Sequence, residues 1–195
     1  PDTIVSRRFT TRAGKDPSTG TRTVVVRSQL AGDGTPMTVF SQRFPAKFGE
    51  IVDTSIAHSG SLRALAHRSY QPATTMRFVF TGGNAEGEIT SLQGPTGAGG
   101  ASGAAGSDAG GSSSSEPQVE KVRDLLGGPI FDSNIIEMVI AAMPLADGFS
   151  ADAPFFIHER GGRVNMKVAV KERAAISFPE HGSRDAWVVT VAVPD

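Results

Sequence analysis

Apolar and polar residues alternate in short runs along most of this chain, and one stretch breaks the rhythm. Pro129 to Leu145, PIFDSNIIEMVIAAMPL, is the densest apolar run. Asp132, Ser133 and Asn134 all suit a helix N-cap, and Glu137 stands three residues after Asn134, as a capping box requires. Ile135, Val139, Ala142 and Met143 recur at helical spacing, and Ile136 and Ile140 widen the stripe. The pattern predicts a buried helix over about 132–143, stopped by Pro144. A helix apolar on nearly every side is expected to lie across, or plug, a structure made by the rest of the chain. A docking face, a lipid-facing segment or a strand are the competing readings. The run is far short of the ~20 residues needed to cross a bilayer.

The alternating runs predict strands over 3–9, 21–30, 37–44, 50–58, 62–70, 75–81 and 86–92. Turn sequences separate them: Asp16 to Gly20, Gly32-Asp33-Gly34, Ser59-Gly60-Ser61 and Gly82-Gly83-Asn84. Pro45 has no N–H to give, so it is expected to end the third strand at an edge or bulge. Residues 94–117 are low complexity, GPTGAGGASGAAGSDAGGSSSSEP, and have almost nothing to bury. They read as a flexible insertion and match no phosphate-loop pattern. Val119 to Leu126 suggests one or two helical turns ending at Gly127-Gly128. A second β group follows over 155–159, 164–171, 174–178 and 186–193, with a hairpin at Gly161-Gly162. In it Val164, Met166, Val168 and Val170 share one parity and predict one buried face.

The fold class expected is mainly β: an antiparallel meander forming a barrel, half-barrel or sandwich, with one buried central helix. The organisation expected is an N-terminal antiparallel unit over 1–93, the insertion over 94–117, and a helix plus C-terminal β unit of the same domain over 118–195. There is no βαβ alternation, which argues against a parallel nucleotide-binding sheet.

Composition narrows the chemistry. Lys and Arg number 19 against 20 Asp and Glu, so the net charge is −1 and no overall field attracts nucleic acid. The absence of cysteine excludes disulfides, thiolate catalysis and zinc–thiolate sites. The start at Pro1 reads as a processed terminus with an export signal removed, which predicts a periplasmic or extracellular location. There is no G-x-S-x-G elbow, and His158-Glu159 fails as a zinc-protease motif because Gly162 stands where the second histidine belongs. His58, His67, His158 and His181 share no ligand spacing. His58 and His67 fall on neighbouring predicted strands and could meet across them, but two imidazoles are too few for a metal site, so neither metal nor cofactor is expected. Arg7, Arg8, Arg12, Arg22 and Arg27 read as an exposed basic sheet face, with a patch for anionic lipid or an acidic partner as the alternative.

Three groups of residues together resemble an exported bacterial envelope β-protein family of unknown function with half-barrel or lipocalin-like folds. They are Leu62 to Tyr70 with Phe78 to Gly82; Ile130-Phe131-Asp132 with Met143-Pro144-Leu145 and Gly148-Phe149; and Val170-Lys171-Glu172, Pro179, Gly182 and Ala186 to Val189. The resemblance covers roughly residues 60–193 and implies no catalytic residue. Members usually continue with at least one more strand pair where this sequence stops at Asp195, so the resemblance does not decide between a closed barrel and an open one.

The function expected is a non-catalytic exported β domain that binds an apolar ligand, such as a lipid or other hydrophobic small molecule, or an envelope protein. The candidate lining is Phe78, Phe80, Ile136, Ile140, Met143, Phe155 and Phe156. The alternatives are a structural subunit of a surface or membrane-associated assembly built by edge-strand pairing or self-association, and a hydrolase with a dispersed polar site around His58 and His67.

Overall fold

The computed structural model describes residues 2–10, 18–46, 49–91, 117–178 and 182–193. The expected insertion lies outside the described residues except for Pro117. Eight strands follow one another as an antiparallel meander: β1 (Asp2–Thr10), β2 (Ser18–Leu30), β3 (Pro36–Ala46), β4 (Gly49–His58), β5 (Ala64–Gln71), β6 (Thr74–Thr81), β7 (Asn84–Ser91) and β8 (Gln118–Leu125). This sheet curls into a half-barrel. A second sheet of four strands has the order β12 (Gly182–Ala192), β11 (Gly162–Phe178), β10 (Ser150–Ile157), β9 (Phe131–Asp132). Its β9 runs parallel to β10, and its other pairs are antiparallel.

The alternation read from the sequence sets the inner face. Along β6, Met76, Phe78 and Phe80 are buried while Arg77, Val79 and Thr81 are exposed. On β11, Met166 and Val168 face in while Asn165 and Lys167 face out. Two apolar clusters result. One joins Val24, Phe40 and Ala57 of the large sheet to Ile135, Val139, Ala153, Phe155, Met166 and Val168. The other joins Ala64, Met76, Phe78, Phe80 and Ala85 to Leu126, Ile130 and Phe156. Gly87 on β7 makes room for this second cluster. A Cβ there would overlap the Arg77 carbonyl and the Phe78 ring. Gly87→Ala is therefore expected to cost about 1–3 kcal/mol through overpacking, read as a lower urea midpoint.

Three of the expected elements are redrawn. The central helix is shorter than 132–143: a 3-10 turn over Ser133–Ile135 leads into α1 (Ile136–Ala141). It cannot begin earlier, because Asp132 is held in β9 opposite Phe156. Asp132 is also the cap, accepting the Asn134 N–H at 2.8 Å, and Glu137 pairs with Arg22 at 2.9 Å rather than closing a capping box. Only Ile135 and Val139 of this segment are fully buried among its apolar residues. Val119 to Leu126 is not helical. Most of it is β8, drawn into the ladder by β7, where Thr90 pairs with Val119 and Asn84 with Leu125. Residues 164–171 and 174–178 are one continuous strand, β11, with a bulge between Val170 and Glu172.

Pro45 does not end β3, which runs on to Ala46 between β2 and β4. The described pairing with β2 stops at Arg43, so Pro45 faces a strand only on its β4 side, where it pairs with Glu50. Its missing N–H is harmless there. Among the described residues no helix is long and apolar enough to cross a membrane.

Candidate functional site

The middle of the half-barrel is polar where the pattern elsewhere is apolar. On the inward parity of β4 and β5 stand Asp53, Ser55, His67 and Ser69, all buried. The ladder pairs Asp53 with Ser69 and Ser55 with His67, and Gln42 on β3 sits opposite Asp53. Asp132 and His158 reach this patch from the other side. Asp132 ends β9, and His158 opens the 3-10 turn that follows β10 (His158–Arg160). Parallel pairing of Asp132 with Phe156 brings the two close together.

Asp132 is the hub. Its Oδ2 lies 2.9 Å from His67 Nδ1 and its Oδ1 lies 3.5 Å from His158 Nε2. An ionised carboxylate only accepts, so His67 donates its Nδ1–H. The two imidazoles stack with centroids 3.6 Å apart. Ser55 Oγ is 3.5 Å from His67 Nδ1, and Ser133 Oγ is 3.4 Å from His158 Nδ1. The aromatic wall is Phe78 and Phe156, whose centroids each lie 5.5 Å from the His158 ring. Exposure of His67, Asp132 and His158 is 1, 0 and 2%.

Burial alone would raise the Asp132 carboxyl. The neighbouring His158 and His67 imidazoles, the His67 hydrogen bond and the Asn134 N–H outweigh it and hold the group at about 2. Burial pushes His158 down to about 4, against the pull of Asp132 and with His67 adding to the fall. Burial raises Asp53 above its ordinary value, opposed by its bond to Ser69 and by His67. Among the described residues, His67 Nε2, His158 Nε2 and Asp53 Oδ1 have no hydrogen-bond partner.

These shifts predict acid lability. A histidine with a folded value below its unfolded one leaves the unfolded chain holding more protons between the two values. The contribution of neutral His158 is full above pH 6.5 and is lost as pH falls towards 4. That of Asp132 is full above 3.8 and is lost as pH falls towards 2. Urea midpoints of the chelator-treated protein should be flat above pH 7 and fall across the His158 window by the equivalent of about 3 kcal/mol.

A second network fixes the start of α1. Arg22 on β2 bonds Glu137 at 2.9 Å, the Asn134 carbonyl and the Gln42 side chain, and Gln42 Nε2 bonds the same carbonyl at 2.6 Å. Arg22 thus leaves the expected exposed basic face and turns inward, its side chain 11% exposed. Arg27 stays on the surface.

An open cleft of about 670 Å³ lies at one end of the half-barrel, between the chain at Arg63–Leu65, the β6–β7 turn and the segment from Leu125 to Ile130. Two backbone bonds brace it: Leu126 N–H to the Gly83 carbonyl at 2.7 Å, and Ala64 N–H to the Ile130 carbonyl at 2.8 Å. Gly82 and Gly83 turn with φ of 56° and 83°. Buried Phe80, Leu126 and Ile130 line the cleft, while Leu125 is 82% exposed on it.

Of the expected lining residues, Phe80 alone reaches this cleft. Phe78 and Phe156 stand beside it in the second apolar cluster, and Phe155 belongs to the first. Ile136, Ile140 and Met143 are half-buried against that first cluster. His58 and His67 do not meet. His58 lies beyond the Ser55–His67 pair and its Nδ1 bonds the Ser59 carbonyl at 2.7 Å. His67 joins His158 and Asp132 instead, a grouping the sequence reasoning missed. The available signal was polar side chains on the inward parity of β4 and β5.

Fold and site define an antiparallel half-barrel closed over by a small second sheet, with a His–Asp–His cluster sealed between them. The chain belongs to the family described as "Protein of unknown function (DUF3108)", which matches over residues 8–195. No curated protein and no solved structure matches it.

Proposed function

We propose that the domain is a non-catalytic binding module of the bacterial cell envelope, working in the periplasm or outside the cell. It takes an apolar ligand, or the apolar segment of an envelope protein, in the cleft between Arg63, Gly83 and Leu126. The cleft carries this reading. Its volume of about 670 Å³ lies within the range that holds small molecules. Phe80, Leu126 and Ile130 give it an apolar wall continuous with the core, and Arg63 is the charged side chain lining it, suited to an acidic head group. The non-catalytic part rests on enclosure: the titratable cluster at His67, Asp132 and His158 is closed to a substrate.

Leu125→Glu tests it. The side chain is already in water, so the fold should stand, while an apolar ligand loses a contact and meets a charge. N-phenyl-1-naphthylamine is expected to bind the protein and to lose affinity about tenfold in the variant. Native mass spectrometry before and after organic extraction should show a released small molecule. Failure to bind the dye together with no released molecule would sink the reading.

One observation favours assembly by strand addition as a second reading. From Glu172 to Phe178, β11 runs past β10 and, among the described residues, pairs with β12 alone. Two-stranded ribbons hold poorly by themselves and leave an edge that another chain can extend. Ile176 on this ribbon is 43% exposed. Ile176→Lys should reduce any self-association seen by light scattering, and a strict monomer at high concentration counts against this reading.

A further inference from the structure

The cluster between the sheets offers metal-ligand chemistry that the binding-module reading does not use. His67 and His158 each present an imidazole nitrogen and Asp132 a carboxylate oxygen, and the three donor atoms lie within 4.8 Å of one another. Asp132 Oδ1 and His158 Nε2 stand 3.5 Å apart. Ligand atoms around a tetrahedral divalent ion, with bonds of ~2.0–2.1 Å, are separated by roughly 3.3 Å. That one pair is thus already near the spacing of two ligands in a coordination shell.

Two further observations point to a ligand. Among the described residues, the buried ring nitrogens His67 Nε2 and His158 Nε2 find no hydrogen-bond partner, and neither does Asp53 Oδ1. Orphaned polar atoms at this depth are costly, and a cluster of them on three chain segments needs a reason. Asp53 lies on the same face as His67, its ladder partner Ser69 two positions along β5. The surroundings also resemble the outer shell that orients metal ligands. The Asn134 N–H holds Asp132 Oδ1 at 2.8 Å, and Ser133 Oγ stands at 3.4 Å from the far nitrogen of His158.

We propose that His67, Asp132 and His158 bind one divalent transition-metal ion of the zinc type, with Asp53 as a second acidic group beside them, and that the ion is a structural clamp between the two sheets. Imidazole nitrogen with carboxylate oxygen suits this ion class better than calcium or magnesium, which take oxygen shells. The enclosure fits a structural site, since a catalytic one keeps a position open. The two rings stack with a 24° interplanar angle, so their in-plane lone pairs run side by side. Binding therefore turns one ring out of the stack. Because the donors are sealed, loading is coupled to folding.

The test unfolds the full chain in guanidinium with chelator, removes both, and refolds it with or without zinc chloride. After desalting, about one zinc per chain should remain by elemental analysis, and the thermal midpoint should rise by several degrees over the metal-free protein. Cobalt in place of zinc should give the visible bands of a tetrahedral site. His158→Gln should weaken binding about 100-fold and Asp53→Asn about tenfold, while His58→Ala, outside the cluster, should leave it unchanged. Wild-type protein that refolds but retains no zinc and gives no tetrahedral cobalt spectrum overturns the proposal, as does retention untouched by His158→Gln. The cleft and its dye binding are separate readouts, so either proposal can fail alone.

Discussion

Asp132→Ala is expected to remove about 3–5 kcal/mol of stability, measured by urea unfolding in the presence of chelator. The residue does three jobs at once. It accepts from His67, it faces His158, and it caps the turn that starts α1. Removing it leaves a buried imidazole N–H and a backbone N–H without their acceptor. Against a typical total of ~5–15 kcal/mol the variant should be near the limit of folding. Asp132→Asn should lose less, because the amide oxygen can still take one of those bonds. Equal losses for the two variants would show that charge, not hydrogen bonding, dominates at this position.

Ile135→Asp should abolish cooperative unfolding altogether. Ile135 is fully buried where the first apolar cluster closes under the half-barrel. A carboxylate there has no partner and costs several kcal/mol. Ile136→Asp is the informative contrast. Ile136 is half-buried, so its carboxylate reaches water and the variant should fold with a lowered melting temperature. Circular dichroism melts on both variants check this order. Unchanged melts for both would remove the buried plug from the account.

The sequence made the strands legible because each carries its own alternation and its own turn. Gly82-Gly83-Asn84 marked the β6–β7 hairpin, and Met76, Phe78 and Phe80 marked its inner face. It misplaced β8, because Val119 to Leu125 has no intrinsic reason to be extended until β7 offers a ladder. It overextended the helix, because the cap residues Asp132, Ser133 and Asn134 look alike and only the pairing of β9 with β10 decides among them. The cluster was harder still. His67 and Asp132 are 65 positions apart and meet only when the second sheet closes on the first. No spacing rule encodes such a contact. What the sequence did carry was Asp53, Ser55, His67 and Ser69 at positions where the pattern calls for apolar residues. The cleft was invisible for a similar reason, since three separate segments build it.

The central claim is that His158 sits neutral and sealed between the sheets, beside Asp132 and against His67. A histidine ring-nitrogen NMR titration of the metal-free protein tests it most directly. The account predicts that one imidazole stays unprotonated until the pH approaches about 4, that its signal disappears in His158→Gln, and that the protein begins to lose stability over the same range. An imidazole at position 158 that titrates near 6.5 with no loss of stability would place it in water and contradict the closed half-barrel described above.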